Sequence, residues 1–190
     1  MDTKEIIIKS ALGILSEEGA KALTTSRLVE VSGISKGGIY HHFHGIEDIY
    51  FEILRHITDE LTNGFSELEF KSVEHLHRVL IDFLFDDFEE QKKLYSAVLF
   101  YYGHIVSDEK YEVLLKEWSN QSIANWIEIY RTKFNLKISK KRLEQASRLI
   151  DMHICGLVMH SLLVDDFTIY RSSTRIFFDM IHKEFFSNDS

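Results

Sequence analysis

A run of eight residues near the N-terminus carries side chains that can bind anions by charge or form hydrogen bonds. It offers an ammonium group, a hydroxyl, a phenol and two imidazoles, and two adjacent glycines leave the backbone open to close approach. These groups bind by charge and hydrogen bonding and do not form a nucleophile–base pair. The run contains Ser35, Lys36, Gly37, Gly38, Tyr40, His41 and His42.

The residues around this run predict two short helices that meet at a glycine turn. Thr24 or Thr25 can cap the first helix, and Gly33 can end it with a positive φ. Ser35 can cap a second helix that begins near Lys36. Because the second helix begins with exposed polar groups, it has the form of a recognition helix that meets the major groove of DNA.

This N-terminal stretch resembles the signature of the TetR family of bacterial transcriptional repressors. The resemblance covers about the first fifty residues; the rest of the chain resembles the family only in length, helical pattern and aromatic content. It implies a repressor that binds double-stranded DNA as a homodimer at a two-fold related operator. The similar segments are Gly19, Thr24-Thr25, 33–37, 39–43 and 47–49.

The predicted DNA contacts follow from charge and hydrogen-bonding capacity. Lys36 is suited to a phosphate, and the imidazoles and the phenol can reach phosphates or base edges. The resemblance implies that Tyr40 and His42 face phosphates and that Phe43 is a core residue. An alternative is that Tyr40 and His41 only pack against the protein. The predicted contact residues are Thr25, Arg27, Ser35, Lys36, Gly37, Tyr40, His41 and His42.

Two positions depart from the family pattern. Many relatives have a lysine just before the acidic pair that opens the fourth helix, where it meets a phosphate beside the helix N-terminus. This chain has Ile46 there, so one expected DNA contact is missing. Val29 stands where the family mostly has alanine at a helix crossing.

The charge of the chain limits how it can bind a polyanion. The formal net charge is −8 at pH 7, and the first 50 residues hold five basic and seven acidic residues. Neutralisation of phosphates by lysine and arginine usually supplies much of the affinity for nucleic acid. We therefore expect modest non-specific DNA affinity, a shallow salt dependence and reliance on few contacts.

The composition is typical of a globular protein of a reducing compartment. Hydrophobic residues make up 45% of the chain, which is enough for a substantial core. The one cysteine, Cys155, excludes an intrachain disulfide. The charged N-terminus and the lack of an eighteen-residue apolar run predict neither a signal peptide nor a membrane span, so we expect a cytoplasmic protein.

The sequence shows no pattern typical of an enzyme or a metal centre. A nucleophile–base pair, a glycine-rich phosphate loop and zinc-type ligand spacing are all missing, so we predict no enzyme activity, no cofactor and no metal. Two histidine-containing groups have the right residue types but lack convergent spacing. They are His41, His42 and His44, and Asp151, His153, Cys155 and His160.

The absence of proline from the chain favours helices joined by short turns. Hydrophobic periodicity predicts an all-α fold of about nine helices. We expect residues 1–45 to form a three-helix DNA-binding helix-turn-helix domain, and residues 46–190 to form a larger helical domain for effector binding and dimerisation. Besides the two helices of the motif, the predicted helices span 3–18, 46–66, 72–89, 91–102, 108–134, 139–163 and 169–186.

The last two predicted helices are apolar on more than one side, and such helices must bury more than one face. Two of them from each subunit can form a four-helix bundle across a two-fold axis, as the resemblance also implies. The alternative is that both lie at the centre of a monomer core. The predicted interface residues are Leu149, Ile154, Leu157, Val158, Phe177, Phe178, Ile181 and Phe185.

Aromatic and polar side chains of the helices at 91–102 and 108–134 predict a pocket for a small, mainly apolar or aromatic effector. The resemblance implies that the effector tilts the fourth helix and lowers DNA affinity. The alternative is an aromatic core. The predicted pocket residues are Tyr95, Phe100, Tyr102, His104, Trp118, Gln121, Asn125 and Trp126.

Two classes of function therefore remain. The first is a dimeric, ligand-responsive transcriptional regulator. The second is a helical interaction module that keeps the helix-turn-helix as a scaffold, with weak or no DNA binding. The missing lysine at position 46 and the acidic balance of the first 50 residues keep the second class open.

Overall fold

The computed structural model describes residues 2–86, 109–161, 163 and 166–187, and every regular element in these ranges is helical. The all-α prediction is therefore confirmed for the described part of the chain. Eight α-helices and one 3₁₀ turn, Ala20–Ala22, are found there. The α-helices are α1 (Thr3–Glu18), α2 (Thr25–Ser32), α3 (Lys36–His42), α4 (Ile46–Glu67), α5 (Val73–Phe85), α6 (Glu109–Lys133), α7 (Lys140–Ser161) and α8 (Thr168–Phe185).

The predicted helix limits agree with the structure to within a few residues. The helix predicted at 91–102 lies outside the described residues, as do residues 87–89 of the helix predicted at 72–89. The 3₁₀ turn between α1 and α2 was not predicted, because three residues are too few for a hydrophobic period to show.

Local signals in the sequence explain where the first three helices end and begin. Gly19 ends α1 with φ 82°, and Gly33 ends α2 in the left-handed conformation with φ 69°. Both values favour glycine, which has no Cβ to clash there. Thr24 and Ser35 cap α2 and α3, since their side-chain oxygens accept hydrogen bonds from backbone N–H groups inside each helix.

The chain divides into two compact units. The first comprises residues 1–61 and 93–118, and the second comprises 62–92 and 119–190. The limits of the units therefore fall within the sequence ranges of α4 and α6. The functional boundary that we placed between residues 45 and 46 stays a prediction.

The first unit has a continuous apolar core to which each of its described helices contributes. Ile7 of α1, Leu28 of α2, Ile39 of α3 and Ile53 of α4 are all at most 2% exposed. Phe43, which follows α3, is also buried, as the family resemblance implied. Burial of this kind contributes roughly 1.5–3 kcal/mol for each large side chain. In α3 the buried side chain is Ile39, so the core holds this helix on one side only.

In the second unit, α5 and α8 pack in an antiparallel arrangement, with polar side-chain contacts between them near both ends. At one end, His182 Nε2 lies 2.8 Å from Glu74 Oε1. At the other, Arg171 places one nitrogen 2.6 Å from Asp82 and another 2.7 Å from Asp86. Because these groups are partly exposed, they define the register of the two helices more than they stabilise them.

A buried histidine–tyrosine pair joins α5 and α6 inside the second unit. His77 Nε2 lies 2.6 Å from the hydroxyl of Tyr130, and both residues are almost fully buried. The rings of Phe178 and Phe186 lie against the imidazole. Burial lowers the pKa of His77 to about 3 and raises that of Tyr130, so both side chains are neutral at pH 7.

Candidate nucleic-acid interface

The start of α3 presents a polar, solvent-exposed surface. Ser35, Lys36, Gly37 and both His41 and His42 are exposed. The opposite side of this short helix supplies buried Ile39, and Phe43 follows it into the core. The packing of α3 therefore leaves its polar side chains on the side that a groove of DNA would meet.

Tyr40 connects the two helices of the motif while remaining 46% exposed. Its hydroxyl lies 3.5 Å from Thr25 Oγ1 of α2. The Lys36 ammonium lies 5.9 Å from the centre of the Tyr40 ring, within the range of a cation–π contact. These contacts place a cation, a phenol and a hydroxyl on one surface, so the alternative in which Tyr40 is a packing residue accounts for only part of its surroundings.

The two glycines of α3 have different surroundings. A Cβ added to Gly38 would lie 2.8 Å from Ile34 Cγ2 and 3.4 Å from Ser35 Oγ. A Cβ added to Gly37 would meet nothing nearer than Ser35 Oγ at 4.0 Å. Gly38 is thus required by the packing of α3 on the turn, whereas Gly37 leaves open surface.

Alanine at these two positions should have different effects on stability. Gly38→Ala forces the Ile34 side chain or α3 to move, and we expect the free energy of unfolding to fall by about 1–3 kcal/mol. Gly37→Ala should leave it unchanged or raise it by up to about 1 kcal/mol, because alanine favours helix. Urea denaturation of the two variants measures both values. Equal stability would contradict the packing role of Gly38.

Arg27 is held by carboxylates of the protein itself. Its guanidinium lies 2.8 Å from Glu18 Oε1 through Nη2 and 2.9 Å from Glu30 Oε2 through Nη1. The hydrogen bonds that Arg27 donates to Glu18, and then those to Glu30, raise the pKa of Arg27. Since two acids already share its charge, a phosphate contact by Arg27 requires the side chain to leave them.

Other cations of the first 50 residues are compensated in the same way. Lys4 lies 2.9 Å from Glu52, and Lys9 lies 3.0 Å from Glu5. Within this described segment, Lys21 and Lys36 are the lysines for which the structure records no carboxylate partner. The low count of available charge agrees with our expectation of a shallow salt dependence.

The two positions that depart from the family pattern are occupied by packing residues. Ile46 and Val29 are partly buried against the core of the first unit. At the start of α4, Asp48 Oδ2 accepts a hydrogen bond from the His44 backbone N–H at 3.0 Å. An apolar side chain at position 46 therefore contributes to the core where a lysine would reach a phosphate.

The histidines beside α3 interact with each other as aromatic rings. The ring centres of His41 and His42 are 5.1 Å apart in an edge-to-face arrangement. In the described part of the chain, no three histidine, cysteine or acidic residues converge as metal ligands would. In the same ranges, no helix is long and apolar enough to span a membrane.

The predicted effector pocket lies largely beyond what the structure describes. Trp118 belongs to the first unit and packs against its core. In the second unit, Gln121 donates to Asn125, and Trp126 packs edge-to-face on Phe65 with ring centres 5.3 Å apart. The pocket stays a prediction, since the following residues fall outside the described ranges: Tyr95, Phe100, Tyr102 and His104.

The predicted interface residues of α7 and α8 differ in exposure. Val158, Phe178 and Ile181 are buried within the subunit, whereas Leu149 is 40% exposed. The remaining four are half-buried: Ile154, Leu157, Phe177 and Phe185. The three buried side chains contribute to the subunit's own core, so they offer little surface to a second copy.

A set of apolar side chains on these helices is exposed, and Leu149 is its one member among the predicted interface residues. Four follow one face of α7 and the turn after it, and three follow one face of α8, at helical spacing. They make up seven of the twelve large hydrophobic residues that are exposed in the described chain. We call this surface the apolar stripe: Leu149, Met152, Met159, Leu163, Ile169, Ile176 and Met180.

Taken together, the fold and the geometry of α2 and α3 define an all-helical protein with an N-terminal helix-turn-helix. Residues 7–53 match the family model described as bacterial regulatory proteins, tetR family. The N-terminal helices of this chain are therefore similar to those of that family.

Two curated transcriptional regulators are also similar to part of this chain. The chain is 27% identical over 111 residues to the HTH-type transcriptional repressor KstR2 of Rhodococcus jostii, covering 57% of this chain and 54% of KstR2. It is 28% identical over 95 residues to the biofilm operon icaADBC HTH-type negative transcriptional regulator IcaR of Staphylococcus aureus, covering 48% and 51%. The chain therefore spans about half the length of the curated relatives it matches.

Solved structures share the fold over nearly the whole chain. A transcriptional regulator from Rhodococcus sp. Rha1 superposes with a TM-score of 0.74 at 14% identity, covering 97% of this chain and 98% of that one. A TetR transcription regulator from Haloarcula marismortui gives a TM-score of 0.70 at 18% identity, with the same coverage. At 14% and 18% identity, these superpositions show a shared fold and no shared function.

Proposed function

We propose that this protein is a dimeric transcriptional repressor that binds double-stranded DNA through α3. The observation that carries the proposal is the Ser35-capped start of α3, where Lys36, Gly37 and Tyr40 are exposed while Ile39 anchors the helix. In a helix-turn-helix, this is the part of the recognition helix that contacts base edges and phosphates.

The proposed DNA contacts divide by chemistry. Lys36 binds a phosphate by charge, and Tyr40 and His42 hydrogen-bond phosphates or base edges. His41 and Ser35 lie on the same exposed surface, and Thr25 reaches the flanking backbone beside Tyr40. Arg27 contributes only if it exchanges Glu18 and Glu30 for a phosphate.

Dimerisation places two such helices on one operator. The apolar stripe supports it, because a second copy would cover exposed methionine, leucine and isoleucine side chains of α7 and α8. A two-fold axis at this surface would generate a bundle of four helices. The operator would then be two-fold related, with half-sites about one helical turn or more apart.

The effector is proposed to be a small, mainly apolar or aromatic molecule that lowers DNA affinity. The support is the aromatic content of residues 95–126, together with the match of residues 7–53 to the tetR family model. Such an effect requires the effector to bind one spacing of the two α3 helices better than the other.

A gel-shift assay with the DNA upstream of the protein's own reading frame tests the proposal. We expect a discrete complex that protects two related half-sites. A lack of binding to any genomic fragment at low salt would favour the interaction module instead, which the few uncompensated cations and Ile46 also support.

Lys36→Ala should weaken binding to all DNA sequences alike, by about tenfold, because a phosphate contact carries no sequence information. The slope of log K against log salt should fall by about 1. Fluorescence anisotropy with the operator and a scrambled duplex measures both quantities.

Lys140→Ala is the matched control, since Lys140 is an exposed lysine in the second unit. It should leave both duplexes bound as before. A loss confined to one base pair in Lys36→Ala would contradict the phosphate role.

A further inference from the structure

A cavity of about 230 Å³ lies between α5 and α8 in the second unit. Four residues of α5 line it at the spacing of one helix face: Glu74, His77, Arg78 and Ile81. Four residues of α8 line the opposite side at the same spacing. None of the eight belongs to the aromatic pocket predicted from the sequence.

Two arginines bring positive charge to the lining, which also holds the carboxylates of Glu74 and Asp179. Arg78 of α5 and Arg175 of α8 are both exposed at its rim. In the described part of the chain, the structure records no hydrogen bond or ion pair for either guanidinium. Guanidinium groups bind carboxylates through paired N–H donors, so both arginines are available to an anion.

The back of the cavity adds a hydrogen-bond donor. The Tyr130 hydroxyl has His77 Nε2 as its recorded partner. Both groups are satisfied when the hydroxyl donates to Nε2, which puts the imidazole proton on Nδ1. Nδ1 is buried and has no protein partner. A buried polar atom of this kind calls for an acceptor.

The acids of the lining set an upper limit on the charge of a ligand. Glu74 is already bonded to His182, at 2.8 Å. Asp179 lines the cavity with no recorded partner in the described chain, so it would repel a second negative charge. Ile81 and Phe178 supply an apolar wall, against which a hydrocarbon or an aromatic ring would lie.

We propose that this cavity binds a small organic monocarboxylate, whose carboxylate is held by Arg78 and Arg175 and whose apolar body lies against Ile81 and Phe178. The volume is below the roughly 300–1,000 Å³ typical of sites for drug-sized ligands, which restricts the ligand to the size of a short fatty acid or a benzoate. The site does not depend on the proposed DNA binding, because all of its residues lie in the second unit.

Titration of the full-length protein with benzoate tests the proposal, with isothermal calorimetry and the melting temperature as readouts. We expect saturable binding at or below about 10 mM, with a rise in melting temperature as the site fills. Benzamide has nearly the same shape without the charge and should bind at least about tenfold more weakly. Inorganic phosphate, which carries more charge, should also bind more weakly.

Arg78→Gln and Arg175→Gln should each weaken benzoate binding by about tenfold without altering the melting temperature of the unliganded protein. Arg131→Gln is the matched control, because Arg131 is an exposed arginine of the same unit outside this cavity. In histidine ¹⁵N spectra, benzoate should shift the Nδ1 signal of His77. The proposal is overturned if benzoate does not bind, if benzamide or phosphate binds as well, or if Arg131→Gln weakens binding as much as the cavity variants.

Discussion

Ile176→Glu combined with Met180→Glu should convert the proposed dimer to a monomer and weaken operator binding by about 100-fold. The two residues are 61% and 64% exposed in the subunit and lie at the centre of the apolar stripe on α8. In a two-fold interface, each substitution buries two unpaired carboxylates, which is strongly unfavourable. Because linked half-site binding can exceed single-site affinity by 10²–10⁴-fold, loss of the dimer removes most of the affinity.

Static light scattering and anisotropy with the operator measure the two effects. Leu68→Glu is the matched control, since Leu68 is also an exposed apolar residue of the second unit but lies outside the stripe. It should remain dimeric and bind DNA normally. If the double variant stays dimeric, the interface lies on another surface. The alternative in which α7 and α8 belong to the core of the monomer would then be favoured.

The second large effect is a loss of stability at acidic pH caused by His77. Its pKa in the folded protein is about 3, whereas an unfolded histidine titrates near 6.5. As the pH falls below about 6.5, the unfolded chain takes up a proton at this position and the folded chain does not. The unfolded state then binds more protons, so stability falls with falling pH by up to about 1.4 kcal/mol per pH unit until the folded pKa is reached.

His77→Leu with Tyr130→Phe removes both buried polar groups and this titration. As the pH is lowered from 7 to about 5, we expect the parent protein to lose more stability than the double variant. Urea denaturation at several pH values measures it. His41→Leu is the control, because His41 is an exposed histidine of α3 that lies outside the buried pair. Parallel profiles for the parent protein and the double variant would contradict the neutral, buried state of His77.

The helix-turn-helix could be predicted from the sequence because its determinants are local. Thr24 and Ser35 cap their helices through hydrogen bonds within three residues, and Gly33 takes the left-handed conformation that the turn requires. These interactions do not depend on the rest of the fold. The exposure of Lys36 and the burial of Phe43 followed from the same local pattern together with the family resemblance.

The sequence could not predict which side chains of the motif pair or pack with each other. Arg27 and Glu18 are nine residues apart in different helices, yet they share three hydrogen bonds. Gly37 and Gly38 are adjacent and chemically identical, yet only Gly38 lies against another side chain at close range. Both facts arise from the packing of α1, α2 and α3, which residue type and spacing do not specify.

Sequence by itself determined the helical class, the helix limits and the exposed polar surface of α3, since these depend on caps, turns and periodicity along the chain. Tertiary structure alone decided which apolar face of α7 and α8 is core. Phe178 is 2% exposed and Ile176, two residues earlier on the same helix, is 61% exposed. A helix that is apolar around most of its circumference gives no preferred direction, so only its neighbours determine which side is buried.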